Sequence, residues 1–403
     1  MSRSADGQDA VPAVSAHDAA LVALRHDLHA HPEVGWYEER TTRVLMDTLR
    51  AAGLSPRPLI PGGTGLLCDV GDPQAGPTVA IRADLDALPV PEQPGVDYAS
   101  TVPGVSHACG HDIHAAAAVG ATLALADLHA RGLLAGRVRL VCQPAEELVP
   151  GGALAAVREG ALDEVSSIFT VHADPHTDVG RVGLRTGPIT AATDTLIVRL
   201  SGPGGHTARP HLTGDLVYAL GAVVTQLPAL LSRRVDPRAG LSLVWGRVHA
   251  GTAPNAIPQS GEAAGTVRCL DADWWEQAPD LVARLVGELV APFGVAAEVE
   301  HVRGVPPVVN DAAATAVLAR AARAVVGPAS IDRAEQSLGG EDFAWFLAVV
   351  PGALARLGVR TPGDETPRDL HQGTFRADDR AVGVGARLLA AAALEALRGA
   401  GGR

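Results

Sequence analysis

Eight consecutive residues, His107-Ala108-Cys109-Gly110-His111-Asp112-Ile113-His114, hold three histidines, a cysteine and an aspartate. About thirty positions later, Gln143-Pro144-Ala145-Glu146-Glu147 sets two carboxylates side by side after an apolar run. Thiolate, imidazole and carboxylate together are the ligand set of zinc and its neighbours among the divalent transition metals. A second carboxylate beside a ligand can take the proton of a water molecule, the general base that metal-assisted hydrolysis needs. The combination describes a metal hydrolase site.

Each residue also has a plainer reading. Cys109 and His111 could be a buried pair beside a helix start, but they flank Gly110, which lets backbone approach closely, and they share the segment with His107 and His114. Packing or outer roles suit His107 and His114, while Asp112 is placed to hold a ligand histidine by hydrogen bond. Glu146 and Glu147 could be a solvated helix start. Adjacent residues near a strand end project differently, however, so one can bind metal while the other faces water. Sequence chemistry does not say which does which. His172 is preferred to His176 because it ends a strand-like run, and Asp84 and Asp86 are outer acids at another strand end. His371 alone would pass for a loop histidine.

The elements that must position these groups alternate along the chain. Residues Ala16 to Gly53 read as helical, Thr64–Val70 and Thr78–Ile81 as strands, and His114 to Ala130 as a helix. Arg137–Cys142 and Ser167–His172 are further strands, each ending in polar residues. This is an α/β layered pattern with its site at the carboxyl edge of the strands. From Thr190 the order becomes β-α-β-β-α-β: Thr195–Leu200, Asp215–Leu231, Leu241–Val248, Gly261–Leu270, Trp275–Val290 and Ala296–Val302. That is the ferredoxin-like split unit. A helix follows over Ala312–Val326. The expectation is a discontinuous metal-binding catalytic domain, residues 1–189 and 303–403, with an inserted α+β lid or dimerisation domain at 190–302.

Composition narrows the function. At 403 residues the chain is long for one core. Its net charge of −12 argues against a nucleic-acid surface. All 33 basic residues are arginine, so lysine Schiff-base chemistry is excluded. Four scattered cysteines make no disulfide framework, Met1 to His17 lacks a signal pattern, and Gly120 and Asp127 interrupt the Ala-rich run after His114. A reduced, cytoplasmic protein with no membrane span is expected. No Gly-x-Ser-x-Gly elbow is present, which removes the serine-hydrolase reading.

Taken in order, several segments resemble the metal-dependent amidohydrolase family of aminoacylases, hippurate hydrolase and plant auxin–amino-acid conjugate hydrolases. They are Leu28 to Glu33, Arg82 to Pro89, His107 to His114, Gln143 to Glu147, His206 to His211, Asn255 to Pro258, Gly340 to Phe343, and Leu370-His371. The resemblance implies two divalent ions per subunit (Zn, Mn, Co or Ni) bound by Cys109, His111, Glu147, His172 and His371. It makes Glu146 the general base, and His206 a histidine that reaches into a neighbouring subunit's site to polarise the scissile carbonyl. Asn255 and Arg268 match substrate-contacting positions. The implied reaction is hydrolysis of the amide of an N-acyl amino acid or small conjugate, in a homodimer. Dipeptidase or carboxypeptidase action on the same site is the alternative, and a non-catalytic metal scaffold is a third. Pro203, His249 and Gly340 depart from the family's usual residues without removing a ligand or the base.

Overall fold

The computed structural model describes residues 5–60, 63–93, 95–366 and 368–400, apart from the side chain of residue 400. The chain divides into two units: Met1–Ile189 with Val309–Glu335 and Asp342–Arg403, and Thr190–Val308 with Gln336–Glu341.

The larger unit is a mixed eight-stranded sheet. At its centre lie four parallel strands, in the order Arg137–Gln143, Thr78–Asp84, Val165–Asp178 and Gly352–Arg360. Leu66–Gly71 joins antiparallel on one side and Val182–Leu184 on the other. All seven residues of Thr78–Asp84 are buried, as expected of a parallel strand covered on both faces. Asp84 pairs with Gln143 across the register, so both strands deliver polar side chains to the same carboxyl edge.

The first helical stretch is broken in two, at Asp18–Ala30 and Glu39–Ala51. Pro32 disfavours helical backbone at His31, which sits at φ −129, ψ 58. The Glu33 carboxylate restarts the helix by accepting the N–H groups of Arg40 at 3.0 Å and Thr41 at 2.8 Å. Arg40 in turn donates both guanidinium arms to Asp27.

The next helix begins three residues earlier than periodicity suggested, at His111, and runs to Ala130. Sixteen of its residues are buried, because it is apolar on every side and lies inside the core. This helix and Leu216–Arg234 are, by length and composition, apolar enough to cross a membrane, which corrects the expectation that no segment is. Gly120 and Asp127 do not dilute its apolar character enough. Within its most apolar window 78% of residues are buried in the protein, and it opens on the hydrogen-bonded His111 and His114. The strand through His172 is longer than expected and continues to Asp178. Its neighbour Thr78–Asp84 stops pairing with it at Thr170, so His172 lies just beyond that edge.

In the smaller unit, strands Ser242–Ala250, Ser260–Cys269, Ala192–Ser201 and Ala296–Val305 lie in that order, all antiparallel, with helices Leu216–Arg234 and Ala272–Val290. This is the ferredoxin-like order. The last strand passes residue 302 to pair Val305 with Thr193, and Ser337 bridges to Thr190, which draws Gln336–Glu341 into this unit.

Candidate metal centre

Gly110 has φ 84, and a Cβ there would lie 2.9 Å from the Cβ of Ala173. Only glycine lets the helix start come this close to the Val165–Asp178 strand. As a result Cys109 Sγ lies 3.7 Å from His172 Nε2. His111 donates Nδ1–H to the carbonyl of Asp86 at 2.8 Å, and His172 Nδ1 faces the carbonyl of Ala173 at 2.9 Å. A carbonyl can only accept, so in both rings Nδ1 carries the proton and Nε2 is left for a ligand. His371, at φ 62, is anchored by its N–H to the Ala108 carbonyl, and its Nε2 lies 3.1 Å from Glu147 Oε1.

Two groups of ligand atoms, Cys109–His111–His172 and Cys109–Glu147–His371, each gather within 4.8 Å and share the Cys109 sulfur. Glu146 stands beside them, its Oε2 3.9 Å from His111 Nε2, and its Oε1 accepts the Asp342 N–H at 3.4 Å. The residues fit a divalent metal. His111 Nε2 is buried with no hydrogen-bond partner among the described residues, which is costly unless an ion takes its lone pair. Burial opposes charge on His111, but Asp84 and Cys109 outweigh it and hold the imidazole well above its ordinary pKa. Before metal binds, Nε2 therefore carries the ring's second proton, which the ion must displace. Hydrogen bonding to Cys109 and Glu147 pushes His371 up to about 10. Burial, with Arg356 adding to it, keeps His172 well below the usual range, so it is neutral.

Around this cluster lies a buried polar network. The Asp86 carboxylate accepts the N–H groups of Glu146 and Glu147, both at 2.9 Å. Arg82, 1% exposed, donates to Gln143 at 2.8 Å, to Asp84 at 2.6 Å and to Asp342 at 3.0 Å. Asp84 then accepts His114 Nδ1–H at 2.6 Å, and His114 Nε2 accepts the Ala173 N–H at 2.8 Å. Both nitrogens of His114 are therefore used, and it braces the strand that carries His172. The ring nitrogens of His107 have no partner among the described residues, and burial lowers its pKa to about 4, leaving a neutral packed ring.

Asp112 corrects an expectation. It accepts from Arg25 at 3.0 Å and His29 at 2.9 Å, so it steadies the helix start and holds no ligand histidine. Asp342 and Gln143, which carry much of the network, had no individual signal in the sequence. Their partners lie up to 260 residues away.

His206, Asn255 and Arg268 belong to the smaller unit. His206 pairs with Ala256 in a two-stranded ribbon, so the Asn255 loop and His206 are neighbours, both exposed. Arg268 Nη1 donates to Thr193 Oγ1 at 3.1 Å and also to the Leu338 carbonyl.

The family model for Peptidase family M20/M25/M40 matches residues 80–395. A Rhodococcus jostii protein named putative glutamate–cysteine ligase 2-3 is 52% identical over 92% of this chain, which spans 46% of that longer protein. The N-acetyl-L-cysteine deacetylase of Bacillus subtilis is 35% identical over 92% of this chain and 86% of its own length. A crystal structure from Bacillus subtilis, described as a dinuclear metal-binding peptidase of the M20 family, has a TM-score of 0.83 at 31% identity. The match covers 95% of this chain and 99% of that one. The ligand cluster at the carboxyl edge of an α/β sheet thus sits in a hydrolase that belongs to the M20/M25/M40 peptidase family.

Proposed function

We propose that this hydrolase cleaves the amide bond of N-acyl amino acids or related small conjugates, with two divalent ions per subunit held by Cys109, His111, Glu147, His172 and His371. The observation that carries the reading is the pair of ligand groups sharing Cys109, with Glu146 beside them as a second carboxylate. Bound metal polarises a carbonyl and lowers the pKa of water from about 15.7 towards ~7. Glu146 accepts the proton of the attacking water and passes it to the nitrogen as the C–N bond breaks, giving a carboxylic acid and an amine. His206, from the partner subunit, donates a hydrogen bond to the carbonyl oxygen as it gains charge, a contact worth roughly 3–4 kcal/mol where measured. Arg268 takes the substrate carboxylate. Its Nε and Nη2 make no hydrogen bond among the described residues, which leaves a two-pronged edge for that group.

The smaller unit serves as lid and dimerisation domain in this reading. Support comes from its exposed apolar residues Val217 and Tyr218 on Leu216–Arg234, and Val244 and Val248 on the outermost strand Ser242–Ala250. Four buried, unpaired cysteines support a reducing, cytoplasmic setting. The relative named a deacetylase of N-acetyl-L-cysteine favours a blocked substrate, and the neighbour described as a peptidase favours a free amine.

The test is hydrolysis by metal-reconstituted protein of acetyl, benzoyl, indole-acetyl and long-chain acyl amino acids alongside unblocked dipeptides. Cleavage of blocked substrates alone is expected. Cleavage of dipeptides alone would establish the peptidase reading, and turnover of none would leave a metal-binding scaffold.

A further inference from the structure

Three successive main-chain N–H groups in the turn after Arg137–Gln143 each end on a buried carboxylate. Ala145 donates to Glu38 Oε1 at 2.7 Å, while Glu146 and Glu147 donate to the two oxygens of Asp86 at 2.9 Å. Consecutive N–H groups that converge like this form a nest for anions. Here the chain supplies the anions itself. Ala145 has φ 52, left-handed backbone that a residue with a Cβ resists, and it is the residue before Glu146.

Glu38 reaches this turn from 107 positions away. It is fully buried, at 0% exposure, immediately before the helix Glu39–Ala51. Burial pushes its carboxyl up to about 7 even though the Ala145 N–H pulls the other way, so the placement is costly. The segment ahead of it fits the same turn closely: a Cβ on Gly35 would meet Leu148 Cδ1 at 2.8 Å and Ala145 Cα at 3.2 Å. Gly152 closes the turn from the other side by donating to the Ala145 carbonyl at 2.9 Å.

We propose that Glu38 is a positioning residue for the general base: its carboxylate holds Ala145 in left-handed backbone and so sets the direction of Glu146. The inference rests on the amidohydrolase reading for the role of Glu146, but not for the grip on Ala145. Asp86 still holds the N–H groups of both Glu146 and Glu147 when Glu38 is removed. The change falls on the backbone at Ala145, which adjoins Glu146 and lies one residue further from Glu147, and so on turnover before metal binding.

Four variants test this: Glu38→Ala, Glu38→Gln, Glu38→Asp, and Glu38→Ala combined with Ala145→Gly. Glu38→Ala should lower kcat by about 10–100-fold, the scale of a misplaced catalytic group, with KM and metal content near wild type. Glu38→Gln, whose amide oxygen can accept the same N–H, should stay within about threefold of wild type. Glycine adopts positive φ without a Cβ penalty, so Ala145→Gly should restore at least about fivefold of the kcat lost in Glu38→Ala. Amide hydrogen exchange over residues 145–148 should quicken in Glu38→Ala and recover in Glu38→Gln. Should Glu38→Ala fail to fold, Glu38→Asp keeps the charge but falls short of the Ala145 N–H and carries the same expectation. Unchanged kcat and exchange, or equal loss of metal and turnover with no rescue by glycine, would overturn the proposal. If the wild type cleaves no amide at all, the functional reading fails, and exchange alone decides whether Glu38 holds the turn.

Discussion

At the scale of single residues, the two adjacent carboxylates differ in their neighbours. Both gather with His111, but only Glu147 also shares a ligand group with Cys109 and His371, whereas Glu146 takes the Asp342 N–H. Glu146→Gln should therefore keep its metal and lose kcat by at least ~10²-fold, the range for a removed general base. Glu147→Gln should lose metal instead. Metal analysis of the two purified variants decides it, and equal loss in both would mean the roles are not divided this way. His371 adds a proton linkage. Hydrogen bonds to Cys109 and Glu147 hold it up to about 10, so at neutral pH it carries a proton that an incoming ion must displace. Metal affinity should then rise with pH below about 10, by up to ~10-fold per pH unit for each proton released. Calorimetric titration with Zn in two buffers of different ionisation enthalpy should show a buffer-dependent heat; identical heats would mean that no proton leaves.

Among the elements, the start of the helix His111–Ala130 bears most directly on the site. Its first residue is a ligand candidate, and the residue before it adopts a conformation that suits glycine. Gly110→Ala would force a Cβ into left-handed backbone, at a cost of about 1–2 kcal/mol. The new methyl would also sit 2.9 Å from Ala173, the residue beside His172. Both strains are relieved by moving Cys109 away from His172. The variant should melt lower and bind metal more weakly; a melting curve and metal affinity like wild type would show that this approach does not shape the site. The strand Val165–Asp178 has a complementary part, because His114 grips it at Ala173 while Asp84, itself held by Arg82, holds His114 from the neighbouring strand. Positioning here depends on pairs of elements, and no single strand end suffices.

At the scale of the whole molecule, the proposed reaction draws residues from both units. His206 and Asn255 lie on one ribbon of the smaller unit, while the ligand cluster lies in the larger. In the proposed two-fold dimer each site takes Glu146 from one chain and His206 from the other. His206→Ala should then fold, keep its metal and lose most of its turnover. Mixing it with Glu146→Gln should restore activity. At random exchange half the dimers are mixed and each holds one complete site, so up to about a quarter of wild-type activity should return. No recovery after proven subunit exchange would place His206 in its own chain's site or outside catalysis.

Local pattern carried much of this protein. The alternation of strands and helices, and the ferredoxin-like order over Ala192–Val305, are legible because hydrophobic periodicity is a property of neighbouring residues. The close spacing of Cys109, His111 and His114, and of Glu146 and Glu147, is equally local. It could not say which histidine has a nitrogen to spare. His114 spends both on Asp84 and Ala173, while His111 spends one on Asp86, and those partners come from two strands and the segment that follows one of them. Nor could it say that Asp112 serves Arg25 and His29, that Arg82 joins Asp84 to Asp342, or that Glu38 reaches Ala145. Each of these is a buried charge or polar group whose cost is met only by a partner distant in the chain, and folding chooses that partner. The apolar stretch from His111 to Ala130 makes the same point, since its composition alone would suit a membrane and the surrounding sheet and helices make it a core.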